Sequence, residues 1–270
     1  MSADSWSPER YRQFADERAQ PFADLLALLD KAPGCRGVDL GCGTGALTAK
    51  AMDQLELASL LGVDSSAAML TAAAALGAER RAEGCERVPT FVEGDLSADD
   101  LGLGDTEPFD VVLSNAALHW VDDHRALVPK LAALVAPGGQ LAVQVPANEG
   151  HDSQVVLAQV LAREPFTSAL GGWIRTSPVL EPEAYALGLR AAGLVDIDVF
   201  VRIYLHELPE RGALAEWLAG TTLTAYRRRL PADLHDELVH RYRQAVEATL
   251  SDERPFPFTF RRVLMTARRP

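Results

Sequence analysis

The chain has 270 residues, of which 48% are apolar and 24% are charged, and its formal net charge at pH 7 is -12. This length and composition are those of a globular protein with a substantial core. The negative charge argues against a nucleic-acid backbone or an anionic membrane surface as the main partner.

Cysteine usage and the first residues indicate the compartment. Cys35, Cys42 and Cys85 have neither CxxC spacing nor a flanking histidine pair, so we expect no metal site and a reducing environment. The opening residues "MSADSWSPER" lack the apolar core of a secretory signal, and no apolar stretch is long enough to span a membrane. We therefore expect a cytoplasmic protein.

Short β-branched runs alternate with longer helical patterns through the first 145 residues, which predicts βαβ units around a parallel sheet. The predicted strands of this part are 37–40, 58–64, 89–95, 109–115 and 140–146. The predicted helices are Ala46 to Leu55, an alanine-rich helix that Ser65 or Ser66 caps, and a helix within 123–139 that stops at Pro-Gly-Gly.

The later part of the chain is less regular. Residues 147–182 read as a surface linker with a short helix, because they are rich in Gly, Ser and Pro. A helix near 182–192, a strand at 195–208, helices at about 211–226 and 231–250, and a final strand at 258–269 are predicted after it. We expect a helical excursion over one edge of the sheet.

A glycine loop, "GCGTG", follows the first strand, with Gly41, Gly43 and Gly45 at alternate positions rather than in the G-x-G-x-x-G spacing of dinucleotide sites. Acids stand at the ends of three strands: Asp39, Asp64 and Asp95. At the carboxyl edge of a sheet these acids line one crevice, which repels a pyrophosphate. The crevice suits a ligand with a cationic centre, a neutral sugar and a base.

S-adenosylmethionine meets that description. Its ribose diol can donate hydrogen bonds to Asp64, and its adenine amino group can donate to Asp95. Two alternatives compete with this interpretation. The first alternative is structural: Asp39 merely ends a strand, and the glycines form a tight turn. The second is a nucleotide-dependent oxidoreductase, which the acids and the glycine spacing disfavour.

The motifs "VDLGCGTG", "GVDSSAAML", "FVEGDLS", "FDVVLSNAALHWVDD" and "VAPGGQLAVQVP" together resemble class I S-adenosylmethionine-dependent methyltransferases. The opening segment "WSPERYRQFADERAQPFADLLALL" is similar to that of trans-aconitate methyltransferases, and the likeness spans nearly the whole chain. The resemblance implies a single α/β domain with a doubly wound, mostly parallel seven-stranded sheet. It also implies an N-terminal lid helix in 1–30, a cofactor-binding core in 31–146, and substrate-cap insertions at 147–194 and 209–252.

The resemblance also implies roles for matching residues. The cofactor-binding positions are Asp39, Gly41 and Gly43 at the methionine part, Asp64 and Ser65 at the ribose, Asp95 and Leu96 at the adenine, Asn115 and Ala116 beneath the sulfonium, and Tyr11 and Arg18 on a closing helix that also carries Phe14. On that helix Arg18 is placed to neutralise the methionine carboxylate, and Phe14 is assigned to substrate. Met69, at helical spacing from Ser65, reads as a core residue or as a wall of the adenosyl pocket.

The acceptor candidates carry weaker signals, and each has a structural alternative. They are His119 (a base, an orienting group or a packed histidine), Trp120 (a contact or a wall), Arg175 (a loop ligand or a solvated side chain), Tyr204 and His206 (crevice or edge packing) and Trp217 (a contact or a core anchor). Glu149 and Thr224 depart from the family pattern, which has an aromatic residue and an arginine there in many members.

The expected activity is formation of a methyl ester on a small carboxylic acid, with trans-aconitate or a related polycarboxylate as first candidate. Methylation of a hydroxyl, carbon or nitrogen of another metabolite, and a catalytically silent module that binds adenosylmethionine, stay open. We expect a small-molecule partner and a monomer or homodimer.

Overall fold

The computed structural model describes the backbone of residues 15–270 and the side chains of residues 20–270. The strands are β1 (Arg36–Leu40), β2 (Ser59–Asp64), β3 (Thr90–Glu93), β4 (Phe109–Asn115), β5 (Val135–Pro146), β6 (Val195–Leu208) and β7 (Phe256–Arg268). They form one seven-stranded sheet in the order β3-β2-β1-β4-β5-β7-β6.

The helices that the structure describes lie before β1 and in the connections between strands. They are α1 (Ala15–Leu26), α2 (Ala46–Gln54), α3 (Ala67–Ala82), α4 (His124–Ala133), α5 (Asp152–Leu161), α6 (Phe166–Ala169), α7 (Pro182–Ala191), α8 (Ala213–Ala219), α9 (Thr224–Arg227) and α10 (Ala232–Thr249). A 3-10 helix, Leu118–Trp120, follows β4. In the part of the chain with a described structure, no helix has the length and apolar content that a membrane span requires.

Strand pairing gives the sheet its direction. β1 pairs in parallel with β2 and β4, β2 with β3, and β4 with β5, whereas β7 is antiparallel to β5. β4 is the apolar run "FDVVLSN", and its central residues are buried, as a strand covered on both faces requires. The predicted doubly wound, mostly parallel α/β sheet is confirmed.

The chain divides into two compact units. We call the first the sheet unit; its described residues are Ala15–Pro146, Pro178–Arg202 and Arg262–Pro270. We call the second the helical unit; its described residues are Ala147–Ser177 and Ile203–Arg261.

Each unit has its own core. In the sheet unit α1 packs Phe22, Leu25 and Leu26 against the face of the sheet that carries Leu113 and Leu264. In the helical unit the core contains Val156, Phe166, Trp217, Tyr226, Tyr242 and Phe258.

The structure corrects three sequence predictions. The Pro-Gly-Gly run lies inside β5, which begins at Val135 rather than at 140, because the N–H of Gly138 donates to the carbonyl of Arg269 near the end of the chain (2.9 Å). The helix predicted for 211–226 is two helices, α8 and α9, since Gly220 ends the first of them. Residues 147–182 are not all surface linker, because α5 and α6 bury apolar side chains in the core of the helical unit.

Candidate functional site

The glycine loop after β1 packs closely against its neighbours at its first and last glycines. Gly41 has φ +84°, and a Cβ built on it would lie 2.0 Å from the Cβ of Ala117. Gly45 has φ +76°, and its Cβ would lie 2.5 Å from Cζ of the Phe91 ring. The loop therefore needs glycine for both conformation and space, and it lies directly against the turn that follows β4.

Asp64, the last residue of β2, is anchored by backbone groups on both carboxylate oxygens. The N–H of Gly43 donates to Oδ2 (2.8 Å), and the N–H of Ser66 donates to Oδ1 (2.9 Å). These two bonds orient the carboxylate between the glycine loop and the start of α3. Each carboxylate oxygen offers two lone pairs, so this anchoring is compatible with hydrogen bonds from a ribose diol.

Asp39 is buried beneath the loop, where the hydroxyl of Thr48 donates to its Oδ2 (2.6 Å). Burial raises the pKa of Asp39 to about 6; the Thr48 hydrogen bond opposes that rise, and the nearby Asp64 carboxylate adds to it. A cationic ligand nearby would favour the ionised form of Asp39. Thr48 was not predicted from the sequence, because no motif links a helix residue to an acid nine positions earlier.

The start of α3 resolves the choice between two serines. Ser66 caps the helix, with its hydroxyl oxygen accepting from the N–H of Met69 (3.2 Å), whereas Ser65 is exposed. Met69 is 3% exposed, so its side chain belongs to the packed interior at this point.

The third acid lies beyond the end of its strand. β3 ends at Glu93, and the exposed Asp95 follows in a turn where its Oδ1 accepts from the N–H of Ser97 (2.8 Å). Leu96 is half-buried, and its Cδ1 lies 3.7 Å from the Cβ position of Gly41. The turn that carries Asp95 and Leu96 therefore adjoins the glycine loop.

The carboxyl end of β4 carries an unusual backbone conformation. Ala116 has φ +53°, a left-handed value that costs a non-glycine residue energy, and its N–H donates to the carbonyl of Gln144 on β5 (2.9 Å). The side-chain Oδ1 of Asn115 is buried and has no hydrogen-bond partner among the described residues. Strained backbone and an unsatisfied oxygen at one strand end are typical of a ligand site.

His119 and Trp120 lie on the 3-10 helix beside that turn, half-buried, with ring centroids 4.9 Å apart. This helix is held by the buried His124, whose Nε2 donates to the carbonyl of Leu118 (2.9 Å) and whose Nδ1 accepts from the hydroxyl of Tyr185. Burial lowers the pKa of His124, which favours the neutral ring.

Four further candidates belong to the helical unit, where the structure describes their surroundings. Tyr204 and His206 are both buried and share one face of β6, as the alternation predicts. Trp217 is 2% exposed, and its ring centroid lies 5.1 Å from that of His206, so it is a core anchor of this unit. The backbone N–H of Arg175 donates to the hydroxyl of Tyr226 (3.1 Å). Substrate roles for these four residues stay predictions.

The two departures from the family pattern have ordinary surroundings. Glu149 is exposed. Thr224 is buried, and its hydroxyl donates to the carbonyl of Thr221 (2.6 Å).

The structure does not describe the side chains of the N-terminal candidates. Tyr11 and Phe14 lie outside the described residues. Arg18 lies on α1, but its side chain is not among those described.

The described residues fit the methyl donor predicted from the sequence. The oriented Asp64 carboxylate can accept from its ribose, the buried Asp39 favours a positive group nearby, and the glycine loop leaves open space at Gly43, whose Cβ position has no neighbouring group within 4 Å. The pairing β3-β2-β1-β4 brings these groups to one edge of the sheet.

Known proteins extend this picture. A family model described as "Methyltransferase domain" matches residues 38–141. A trans-aconitate 2-methyltransferase from Deinococcus radiodurans is 40% identical, over 98% of this chain and 99% of its own length. The enzyme of the same name from Streptomyces coelicolor is 36% identical, over 100% of this chain and 88% of its own length.

Solved structures show the same fold. The YcgJ protein from Bacillus subtilis superposes with a TM-score of 0.57 at 15% identity, covering 93% of this chain and 98% of its own. The chain therefore belongs to the trans-aconitate 2-methyltransferase family and is an S-adenosylmethionine-dependent methyltransferase.

Proposed function

We propose that this enzyme transfers the methyl group of S-adenosylmethionine to a carboxylate of trans-aconitate or of a related polycarboxylic acid, forming a methyl ester. The observation that carries the proposal is the end-to-end similarity to the Deinococcus enzyme, 40% identity over 99% of that protein, whose name specifies trans-aconitate. The geometry of Asp64 and the glycine loop accounts for the cofactor half of this activity.

The geometry of the described residues supports a role for each of them in the cofactor site. S-adenosylmethionine, when bound, supplies an electrophilic methyl group on a sulfonium. Asp64 accepts from the ribose, Asp39 favours the cationic end, and Asn115 with its unsatisfied Oδ1 lies where β4 ends. We also assign Gly41, Gly43, Ser65, Met69, Asp95, Leu96 and Ala116 to this site, together with Tyr11 and Arg18 of the N-terminal segment.

A carboxylate acceptor sets modest chemical demands. It is already ionised at pH 7, so methyl transfer needs no general base. The protein has to recognise an anion, align it with the methyl group and exclude water. We propose that His119 and Trp120 contribute to this alignment, because they follow the strained end of β4.

Incubation with methyl-labelled S-adenosylmethionine and a panel of di- and tricarboxylic acids tests the proposal. We expect label in a base-labile methyl ester and stoichiometric S-adenosylhomocysteine. Cofactor binding with no transfer to any acid in the panel would contradict the proposal and favour a silent binding module.

A hydroxyl acceptor is the second candidate, and the position of His119 beside the end of β4 is the observation that favours it. A hydroxyl needs a base, so His119→Ala would then lower kcat and change its pH profile. For a carboxylate acceptor the same substitution acts mainly on KM.

We also propose a small-molecule partner rather than nucleic acid, in line with the net charge of -12. Cys35, Cys42 and Cys85 are free thiols, which supports a cytoplasmic location. A monomer or homodimer is the proposed assembly.

A further inference from the structure

One face of the sheet changes from apolar to polar toward the carboxyl ends of β4 and β5. On the side that α1 covers, the core positions on β4, β5 and β7 are Leu113, Ala142 and Leu264. Two residues further toward that edge, on the same face of each strand, stand Asn115, Gln144 and Arg262.

The register brings these three side chains together. Asn115 pairs with Gln144 across β4 and β5, so the two residues are direct neighbours on parallel strands. On the other side of β5, Leu264 pairs with Gln144 and Arg262 pairs with Pro146. Gln144 and Arg262 are therefore diagonal neighbours, within reach of each other's long side chains.

Gln144 is completely buried, yet among the described residues neither Oε1 nor Nε2 has a hydrogen-bond partner. Gln140, four residues earlier on the same face, shows the contrast. Its Oε1 accepts from the N–H of Asp30 (2.9 Å), and its Nε2 donates to the carbonyl of Asp30 (3.2 Å). A buried amide is normally satisfied in this way, so the amide of Gln144 is available for a partner other than the described residues.

Arg262 adds a cation to the same place. Arg262 is only 3% exposed, and it lies two residues from the apolar core position Leu264 on the same face of β7. A guanidinium presents a planar fork of donors that matches a carboxylate, and burial strengthens that interaction.

The charge of the side chains at this edge of the sheet therefore changes from acidic to basic along the strand order β2-β1-β4-β5-β7. Asp64 and the glycine loop lie at β2 and β1, Asn115 lies at β4, and Gln144 and Arg262 lie beyond it. Acids occur on the side assigned to the cationic cofactor, and the buried cation occurs on the far side of Asn115.

We propose that Gln144 and Arg262 form the subsite that binds a carboxylate of the methyl acceptor. In this subsite, which rests on the proposed function, the guanidinium of Arg262 holds the carboxylate oxygens and the Nε2 of Gln144 donates a further hydrogen bond. The two side chains determine specificity for an anionic acceptor and take no part in cofactor binding.

Paired glutamine variants test the amide. We expect Gln144→Leu to raise KM for the acceptor by about tenfold, because one hydrogen bond to a charged group is lost. Its Kd for S-adenosylmethionine should equal that of the wild type, and its Tm should be no lower than that of the wild type. The matched control Gln140→Leu breaks a satisfied structural amide, so it should lower Tm and leave KM unchanged.

Arginine variants test the charge. We expect Arg262→Met to raise KM for a tricarboxylic acid by roughly tenfold to a hundredfold. It should also reduce the preference of the enzyme for that acid over its monoamide. Arg262→Lys keeps the charge but loses the planar fork of donors, so its KM should lie above that of the wild type and below that expected for Arg262→Met. This variant serves as the test if Arg262→Met does not fold. Arg261→Met, at an exposed neighbouring position, is the control.

The outcomes separate this inference from the function on which it rests. If the wild type forms no ester with any polycarboxylic acid, the proposed function is wrong. If it forms the ester while Gln144→Leu and Arg262→Lys both keep the wild-type KM, only the subsite is wrong. A change confined to cofactor Kd would place the two residues in the cofactor site and also overturn the proposal.

Discussion

The backbone N–H of Gly43 donates a 2.8 Å hydrogen bond to the carboxylate of Asp64, which ties the loop after β1 to the end of β2. Asp64 is thus part of the scaffold of the glycine loop as well as a candidate ligand of ribose. The second backbone bond, from Ser66, fixes the same carboxylate from the side of α3. The acid is held in place by the protein before any cofactor arrives.

Replacing Asp64 should weaken the cofactor complex. We expect Asp64→Ala to raise the Kd for S-adenosylmethionine by about tenfold or more, because charge-assisted hydrogen bonds to ribose are lost together with the loop anchor. Calorimetric titration measures this change. Asp99→Ala removes an exposed acid that pairs with Lys130 and should leave Kd unchanged. A Kd for Asp64→Ala within about twofold of the wild type would reject the ribose assignment.

The close approach of Gly41 to Ala117 makes a second prediction. In Gly41→Ala a Cβ would have to occupy a position 2.0 Å from another carbon, at φ +84°. We expect this variant to lose cofactor binding and to melt several degrees lower than the wild type. Gly34→Ala is the control, because Gly34 has φ +79° but no atom within 4 Å of its Cβ position. Equal effects of the two substitutions on Kd would show that backbone strain alone matters.

The raised pKa of Asp39 predicts a pH dependence with a definite sign. Because its pKa is about 6 in the folded protein, above the ordinary value of 3.8, Asp39 favours folding when protonated, and that contribution is lost as the pH rises from about 4 through 6. Asp39→Asn should therefore raise the free energy of unfolding near pH 8 by roughly 1–3 kcal/mol in urea titrations.

The same substitution should weaken binding of the cationic cofactor. Wild-type affinity should fall as the pH drops below about 6, where Asp39 becomes neutral, and the variant should lack that step. If the Kd of Asp39→Asn changes with pH as that of the wild type does, Asp39 does not act on the cofactor.

Tyr185 supports the turn after β4 at a distance. Its hydroxyl accepts from the N–H of Leu180 (3.2 Å) and donates to Nδ1 of His124, which in turn holds Leu118. Tyr185→Phe removes the hydroxyl that the Leu180 N–H and the Nδ1 of His124 both bond. We therefore expect the free energy of unfolding, measured in urea near pH 7.5, to fall by about 1–3 kcal/mol. Wild-type stability in this variant would show that water replaces the hydroxyl.

The cofactor half of the site was largely predictable from sequence, because its signals are local. Patterns of a few residues are enough to predict a glycine-rich turn and acids at strand ends. Adjacent parallel strands then bring these groups to one edge of the sheet. The glycine loop, the acid at the end of β2 and the helix cap are confirmed as structural features, with Ser66 as the cap, whereas Asp95 lies two residues beyond the end of β3.

The remaining features depend on partners that are distant in sequence. Gln140 and Gln144 look alike in the sequence, and only the presence of Asp30, 110 residues from Gln140, distinguishes a satisfied amide from an unsatisfied one. The early start of β5 likewise depends on pairing with residues near Arg269, which overrides the usual reading of Pro-Gly-Gly as a helix stop. Neither relationship leaves a local pattern.

A crystal structure of the complex with S-adenosylhomocysteine and a tricarboxylic acid tests the central claim most directly. It should show both ribose hydroxyls within about 3.2 Å of the Asp64 carboxylate, with the adenosyl group lying along the ends of β1, β2 and β3. An adenosyl group bound elsewhere, or a phosphorylated ligand bound against the Asp64 carboxylate, would contradict the account.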